Sequence, residues 1–301
     1  MSEITSKESF RSGFISVIGR PNVGKSTLVN SIVGEKVSAV SDKPSTTRNR
    51  ILGVKTFDDS QLVFLDTPGV YREKSRLGKS MSRAVSTALS EADLVAFVTD
   101  VEKPFGATDE SILRMLRKPS LFVINKIDKI KKSKLLSILS TAERFSEKFL
   151  EIIPISALNN DGVGQLTQLL KKHLPEGPKY FPDDTFTDQP EIFYVSELIR
   201  EKVFNLTREE IPYKVAVVVS GFSEDTEKNL IRINAEIYVE RKSHKGIIIG
   251  KGGGMLKRIG SEARVEIERV LGVKLFLELW VKVKENWTQS DFLIKKFGYG
   301  S

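Results

Sequence analysis

The chain has 301 residues, a length that allows about two domains, and 40% of them are hydrophobic, enough for real cores. It carries 47 Lys and Arg against 39 Asp and Glu, and the net charge of +8 points to a polyanionic partner. The absence of cysteine excludes disulfides, thiol catalysis and cysteine-ligated metal. No apolar run reaches the about 18 residues of a membrane-spanning helix, and the first ten residues lack a secretory-signal pattern, so a cytoplasmic chain is expected.

In chain order, residues 1–12 read as an N-terminal extension and 13–174 as a first domain of alternating strands and helices. Its first strand is the apolar run 14–18. Next come Gly19, Arg20, Pro21, Asn22, Val23, Gly24, Lys25 and Ser26, with Thr27 opening a helical pattern to Val33. Strand, G-x-x-x-x-G-K-S loop and helix form the context in which a backbone cradles phosphates. Gly19 and Gly24 let the chain curl so that its N–H groups point inward. Lys25 is expected to reach the β- and γ-phosphates, and the Ser26 hydroxyl to hold Mg²⁺.

Further strands are expected at 51–57, 61–67, 93–100, 121–126 and 151–157, and helices near 77–89, 111–117, 134–149 and 164–174. The alternation implies a doubly wound α/β sheet. Asp66, Thr67, Pro68 and Gly69 end the second of these strands. Asp66 is expected to hold Mg²⁺ through water, and the Gly69 N–H to sense the γ-phosphate. Asn125, Lys126 and Asp128 follow another strand. A carboxylate at Asp128 can accept both N1–H and the exocyclic N–H of guanine, a donor pair that adenine lacks. The Lys126 stem can cover the ring, Asn125 can brace the loop, and Ser156, Ala157 and Leu158 can offer a backbone N–H to the guanine oxygen. Taken together, the four stretches imply binding and hydrolysis of GTP to GDP.

Residues 175–190, rich in Pro, Gly and Asp, read as a linker, and 191–301 as a second, smaller α+β domain. Its expected order is a helix at 196–206, strands at 215–219 and 230–239, a Gly-rich turn, a helix with Leu256, Ile259, Ala263, Ile267 and Val270 inward, and a strand at 273–283. This order resembles the type II KH domain. Its G-x-x-G loop, here Gly250, Lys251, Gly252 and Gly253 after Ile249, clamps the backbone of about four nucleotides. Arg241, Lys242, Lys245, Lys251, Lys257 and Arg258 run uninterrupted by acidic residues and favour RNA over a merely solvated face.

A GTPase with Arg20-Pro21-Asn22-Val23 in its phosphate loop, joined to a KH domain, resembles the Era family over nearly the whole chain. The resemblance extends to 213–217, 239–241, 249–251 and 259–260. It implies binding to 16S ribosomal RNA near its 3′ end and a role in assembly of the small ribosomal subunit. It also implies a cytoplasmic protein that touches the inner membrane surface; a monomer is expected. Val70 stands where many GTPases place a water-orienting Gln, and the resembled family shares this hydrophobic replacement. The attacking water must then be positioned by backbone groups, another residue or a partner. Asn22 either helps bind K⁺, as in related GTPases with Pro-Asn in this loop, or only braces the loop. Residues 42–48 read as a switch segment, with Thr47 expected as the second Mg²⁺ ligand and a participant in catalysis.

Overall fold

Continuous apolar runs, rather than alternating ones, build the first sheet, because helices cover both of its faces. Six strands form it: β1 (Arg11–Gly19), β2 (Ile51–Thr56), β3 (Ser60–Asp66), β4 (Leu94–Asp100), β5 (Ser120–Asn125) and β6 (Phe149–Pro154). Every residue of β3, β4 and β5 is buried. The order is β2-β3-β1-β4-β5-β6, parallel except for β2, which runs antiparallel to β3. The helices are α1 (Lys25–Val33), α2 (Arg76–Glu91), α3 (Ala107–Met115), α4 (Lys132–Ala142) and α5 (Val163–His173). On one face Ile15, Val17, Leu28, Val29, Leu166 and Leu170 share a core. On the other Ile18, Phe97, Ile112, Phe122, Ile138 and Phe149 share a second.

This computed structural model describes residues 9–70, 75–117, 120–227 and 229–300. Residues 1–8 of the expected N-terminal extension lie outside them. The described residues fall into two compact units, one of 9–38, 50–70 and 85–188, the other of 39–49, 75–84 and 189–300.

Three features of the first unit differ from expectation. The helix expected at 111–117 starts at Ala107, after Gly106. The helix expected to reach 149 stops at Ala142, and a 3-10 turn carries the chain to Phe149. Phe149 is drawn into the sheet by stacking on Phe122, with ring centroids 4.6 Å apart. The stretch expected as a linker is bonded to the first unit along most of its length. The Val54 N–H donates to the Phe186 carbonyl (2.9 Å) and the Thr187 hydroxyl to the Leu52 carbonyl (2.7 Å). The Gln61 Oε1 accepts from the N–H groups of Tyr180 and Phe181. The bonds at Val54 and Leu52 cover the outer edge of β2, which would otherwise expose unpaired backbone.

The second unit contains α6 (Glu191–Leu206), β7 (Val215–Asp225), β8 (Leu230–Val239), α7 (Lys242–Ile249), α8 (Gly254–Leu271), β9 (Lys274–Val283) and α9 (Asp291–Lys296). Its sheet, in order β7-β8-β9, pairs β7 with β8 antiparallel and β8 with β9 parallel. Ile231, Ile233, Ala235, Ile237 and Val239 alternate inward along β8, as a sheet covered on one face requires. They meet Val195, Ile199 and Val203 of α6 and Ile259, Ala263 and Ile267 of α8. The helices α7 and α9 were not expected. The first is short and glycine-interrupted, and the second has six residues, too few for its periodicity to show.

The same unit takes up residues 39–49. Arg48 is fully enclosed: its guanidinium donates to the carbonyls of Val215 (2.6 Å), Pro212 (3.1 Å) and Tyr213 (2.9 Å) and lies against the rings of Phe204, Trp287 and Tyr299. The Lys43 ammonium caps the end of α6 at the carbonyls of Phe204 and Thr207. The Glu201 carboxylate accepts from the Val40 N–H at 2.9 Å.

Candidate functional site: a nucleotide crevice and a basic surface

Chain connections leave β1 toward β3 on one side and later toward β4 on the other. The crevice beyond the carboxyl end of β1 is therefore a topological switch point, where open α/β sheets take ligands. The loop 19–24 fills it and runs into the N-terminus of α1. Gly24 has φ 94°, and a side chain there would meet the Asn125 amide at 2.3 Å. Gly69 likewise has room for no side chain, since one would lie 2.6 Å from Pro21. The Val70 N–H donates to the Gly19 carbonyl at 3.1 Å, tying the segment after β3 to the phosphate loop. Thr67 anchors its own turn by donating to the Val17 carbonyl at 2.8 Å.

Lys25 is buried, its ammonium held by the carbonyls of Gly19 (3.2 Å) and Arg20 (2.9 Å). Burial lowers its pKa to about 8 although Asp66 works against the shift. The Ser26 hydroxyl donates to Asp66 Oδ2 at 2.6 Å. Burial raises the Asp66 pKa, and its other oxygen, Oδ1, is buried with no hydrogen-bond partner among the described residues. A hydroxyl oxygen beside an unsatisfied carboxylate oxygen suits a hard, oxygen-seeking cation such as Mg²⁺.

Asn125 ties the loops together. Its amide donates to the Val23 carbonyl (2.8 Å), and its oxygen accepts from the N–H groups of Lys126 (2.8 Å) and Ala157 (2.9 Å). Asp128 sits in the 3-10 turn Ile127–Lys129 and accepts from the Ser156 hydroxyl at 2.5 Å. Leu158 is 77% exposed beside them. The structure thus assembles the phosphate loop, 66–70, 125–128 and 156–158 at one end of one sheet. Thr47 belongs to the other unit, where it is buried and the neighbouring Thr46 carbonyl is taken by Arg200. Asn22, at φ 64°, takes a left-handed turn within the phosphate loop.

On the second unit, Arg241, Lys242, Lys251, Lys257 and Arg258 are exposed and Lys245 is half-buried. Ile249 ends α7, and Gly250 turns the chain at φ 73°, with its Cα so close to Met255 that a side chain would lie 2.7 Å away. Gly252 (φ 57°) and Gly253 (φ 79°) have open space around them, and α8 begins directly after, with its N-terminus at the loop. The loop opens on a groove of 510 Å³ between α8 and β9, lined by Lys257, Gly260, Arg264, Phe276 and Leu277 among others. The strand expected at 273–283 is β9, but Arg264 and its groove neighbours Phe276 and Leu277 were missed by the sequence reading, since only the pairing of β8 with β9 brings that strand beside α8. Arg258 is partly spent on Glu262, at 2.8 Å.

The family described as 50S ribosome-binding GTPase matches residues 14–126, and the KH domain family matches 210–288. The GTPase Era of Geobacter metallireducens is 50% identical over 298 residues, covering 98% of this chain and 99% of that protein. The chain belongs to the Era family of GTPases. Among solved structures it is similar to an Era in complex with MgGDPNP and nucleotides 1506–1542 of 16S ribosomal RNA (TM-score 0.94, 41% identity, 97% of this chain and 100% of the other). It is equally similar to an Aquifex aeolicus Era variant bound to GDP·AlF₄⁻ (TM-score 0.94, 40% identity, 97% and 100%). The P-loop GTPase sheet followed by a KH domain is thus the Era architecture, and a guanine nucleotide is bound in both of those solved relatives, with Mg²⁺ in the first.

Proposed function

We propose that this chain hydrolyses GTP in the crevice at the end of β1 and that its KH unit binds small-subunit ribosomal RNA near the 3′ end, as a switch in small-subunit assembly. One observation carries the first half: Asn125 bonds the phosphate loop, the loop of Lys126 and the Ala157 backbone at once, so phosphate and base readers form a single rigid site. The bound Era relative supports the RNA half, together with the exposed cations flanking Gly250–Gly253.

The geometry supports a task for each residue. The loop N–H groups and the start of α1 stabilise charge on the β- and γ-phosphates. Lys25 delivers a cation there once it exchanges loop carbonyls for phosphate oxygens. Ser26 and Asp66 would hold Mg²⁺, which when bound neutralises charge developing between those phosphates. Asp128, steadied by the Ser156 hydroxyl, reads N1–H and the exocyclic amine of guanine. Val70 offers no hydrogen-bonding group, so intrinsic turnover is expected to be slow, well below about one per second. Asn22 is proposed as a K⁺ ligand; equal hydrolysis rates in KCl and NaCl would remove that role. Among the described residues no helix is long and apolar enough to cross a membrane, so the inner-membrane contact implied by the family is proposed as peripheral.

The deciding test is base exchange. Asp128→Asn should weaken GTP and favour xanthosine triphosphate, because an amide donates where the carboxylate accepted. A variant that keeps parental GTP affinity would refute the site. In cells, crosslinking followed by sequencing of the attached RNA should recover the 3′ region of small-subunit rRNA.

A further inference from the structure

Arg20 is the one cation of the phosphate loop besides Lys25. Its guanidinium points away from the crevice and into the end of β4. Nε donates to Asp109 Oδ1 at 2.9 Å, while Nη2 donates to the Lys103 carbonyl at 2.7 Å and to Asp100 Oδ1 at 3.4 Å. Asp100 ends β4 directly beside Asn125 of β5, with which it is in register. Its Oδ1 also accepts from the N–H groups of Glu102 and Lys103. Its other oxygen, Oδ2, accepts from the Lys126 ammonium at 3.1 Å. Asp100 is 6% exposed, so this pair is shielded from solvent in a way that the outer contact of Lys126 with the exposed Glu102 is not. Burial alone would raise the Asp100 pKa; Lys126 and then Arg20 outweigh it and hold the carboxyl below its ordinary range.

We propose that Asp100 is a positioning residue for guanine nucleotide binding: it pins the Lys126 ammonium so that the aliphatic stem is laid out before the base arrives, and through Arg20 it ties that stem to the phosphate loop. Lys126 leaves a left-handed backbone turn at φ 64°, and its stem stretches from that turn to the end of β4. A free lysine stem samples many rotamers, and freezing it is a cost of binding; fixing its far end beforehand removes that cost. Asp100 would act through Lys126 and not on the nucleotide itself, since both its oxygens are taken by protein groups. The inference rests on the reading of the 125–128 loop as the guanine reader and deepens it.

The test is a double-mutant cycle in the full chain with Asp100→Asn, Lys126→Ala and both together, followed by dissociation of fluorescent GDP and by steady-state hydrolysis. Asn keeps an oxygen for the N–H groups of Glu102 and Lys103 and loses only the charge; Asp100→Ser replaces it if the first variant folds poorly. Asp100→Asn should speed GDP release and raise KM by about fivefold to tenfold, the range expected for one lysine side chain left unfixed, while kcat falls less than about twofold. The double variant should be no worse than Lys126→Ala alone. If Lys126→Ala weakens binding but Asp100→Asn does not, or if their effects multiply, the positioning role is overturned and the base-reading loop stands. If Lys126→Ala itself leaves GDP release unaltered, both fall together.

Discussion

Arg200, fully buried in α6, donates a hydrogen bond to the backbone carbonyl of Thr46. The same guanidinium is paired with the buried Glu197 through Nε at 2.7 Å, and its Nη1 has no hydrogen-bond partner among the described residues. The pairing with Glu197 holds the guanidinium charged despite burial, raising its pKa. One ion pair inside the KH unit thus secures the segment expected to answer to the γ-phosphate.

Arg200→Ala should therefore be costly. It strands the Glu197 carboxylate in the core and frees 39–49 from one anchor, a loss of about 3–5 kcal/mol for a broken buried pair. Arg76→Ala is the control. Its pair with Asp291 is exposed on both sides, and such pairs contribute about 0–1 kcal/mol. Urea unfolding of both variants checks the contrast, and similar losses would show that the Arg200 contact holds nothing.

Gly24→Ala should abolish nucleotide binding more than it unfolds the chain. The added methyl faces the Asn125 amide at 2.3 Å, and the φ of 94° is unfavourable for any side chain. Relief would require moving the one amide that bonds three loops. Gly164→Ala, on α5 with nothing near, should be neutral or slightly stabilising. Thermal melting with and without GDP separates the two effects: parental GDP stabilisation in Gly24→Ala would contradict the close approach.

Nucleotide affinity should fall as pH rises through about 8. The free protein holds Lys25 with a pKa of about 8, and phosphates that accept from it raise that value in the complex. The complex then binds more protons than the free protein above pH 8, so affinity is complete below that pH and declines above it by at most about tenfold per unit. At pH 8 binding should take up about half a proton, the share of Lys25 then neutral. Calorimetry in two buffers of different ionisation heat measures this directly. No uptake near pH 8 would mean that Lys25 is already fully charged in the free chain.

Lys251→Asp combined with Gly252→Asp should abolish RNA binding while the fold survives. Both positions are exposed, nothing lies within reach of a side chain at Gly252, and Asp tolerates its left-handed φ better than most residues. Gly250→Ala should behave differently, because its methyl strikes Met255 and disturbs the junction of α7 and α8. Filter binding at two salt concentrations, with melting curves beside it, tells electrostatic loss from unfolding.

The four nucleotide stretches were legible because each is contiguous and bound to a strand end, so spacing alone carries the chemistry. The apolar runs of β3, β4 and β5 and the alternation of β8 are local patterns of the same kind. Asp100 and Arg264 were not legible: each is an ordinary charge in the sequence and gains its role only when β4 lies beside β5 and β9 beside α8. The helix α7 was hidden because its turn is too short for a period and contains Gly246. The sequence by itself singled out the residues expected to hold phosphate, guanine and a polyanion, since those needs are met by side-chain type at fixed local offsets. Only the tertiary structure decided that residues 39–49 pack with the KH unit through Arg48 and Arg200, because enclosing a guanidinium requires carbonyls and rings from segments more than 150 residues apart.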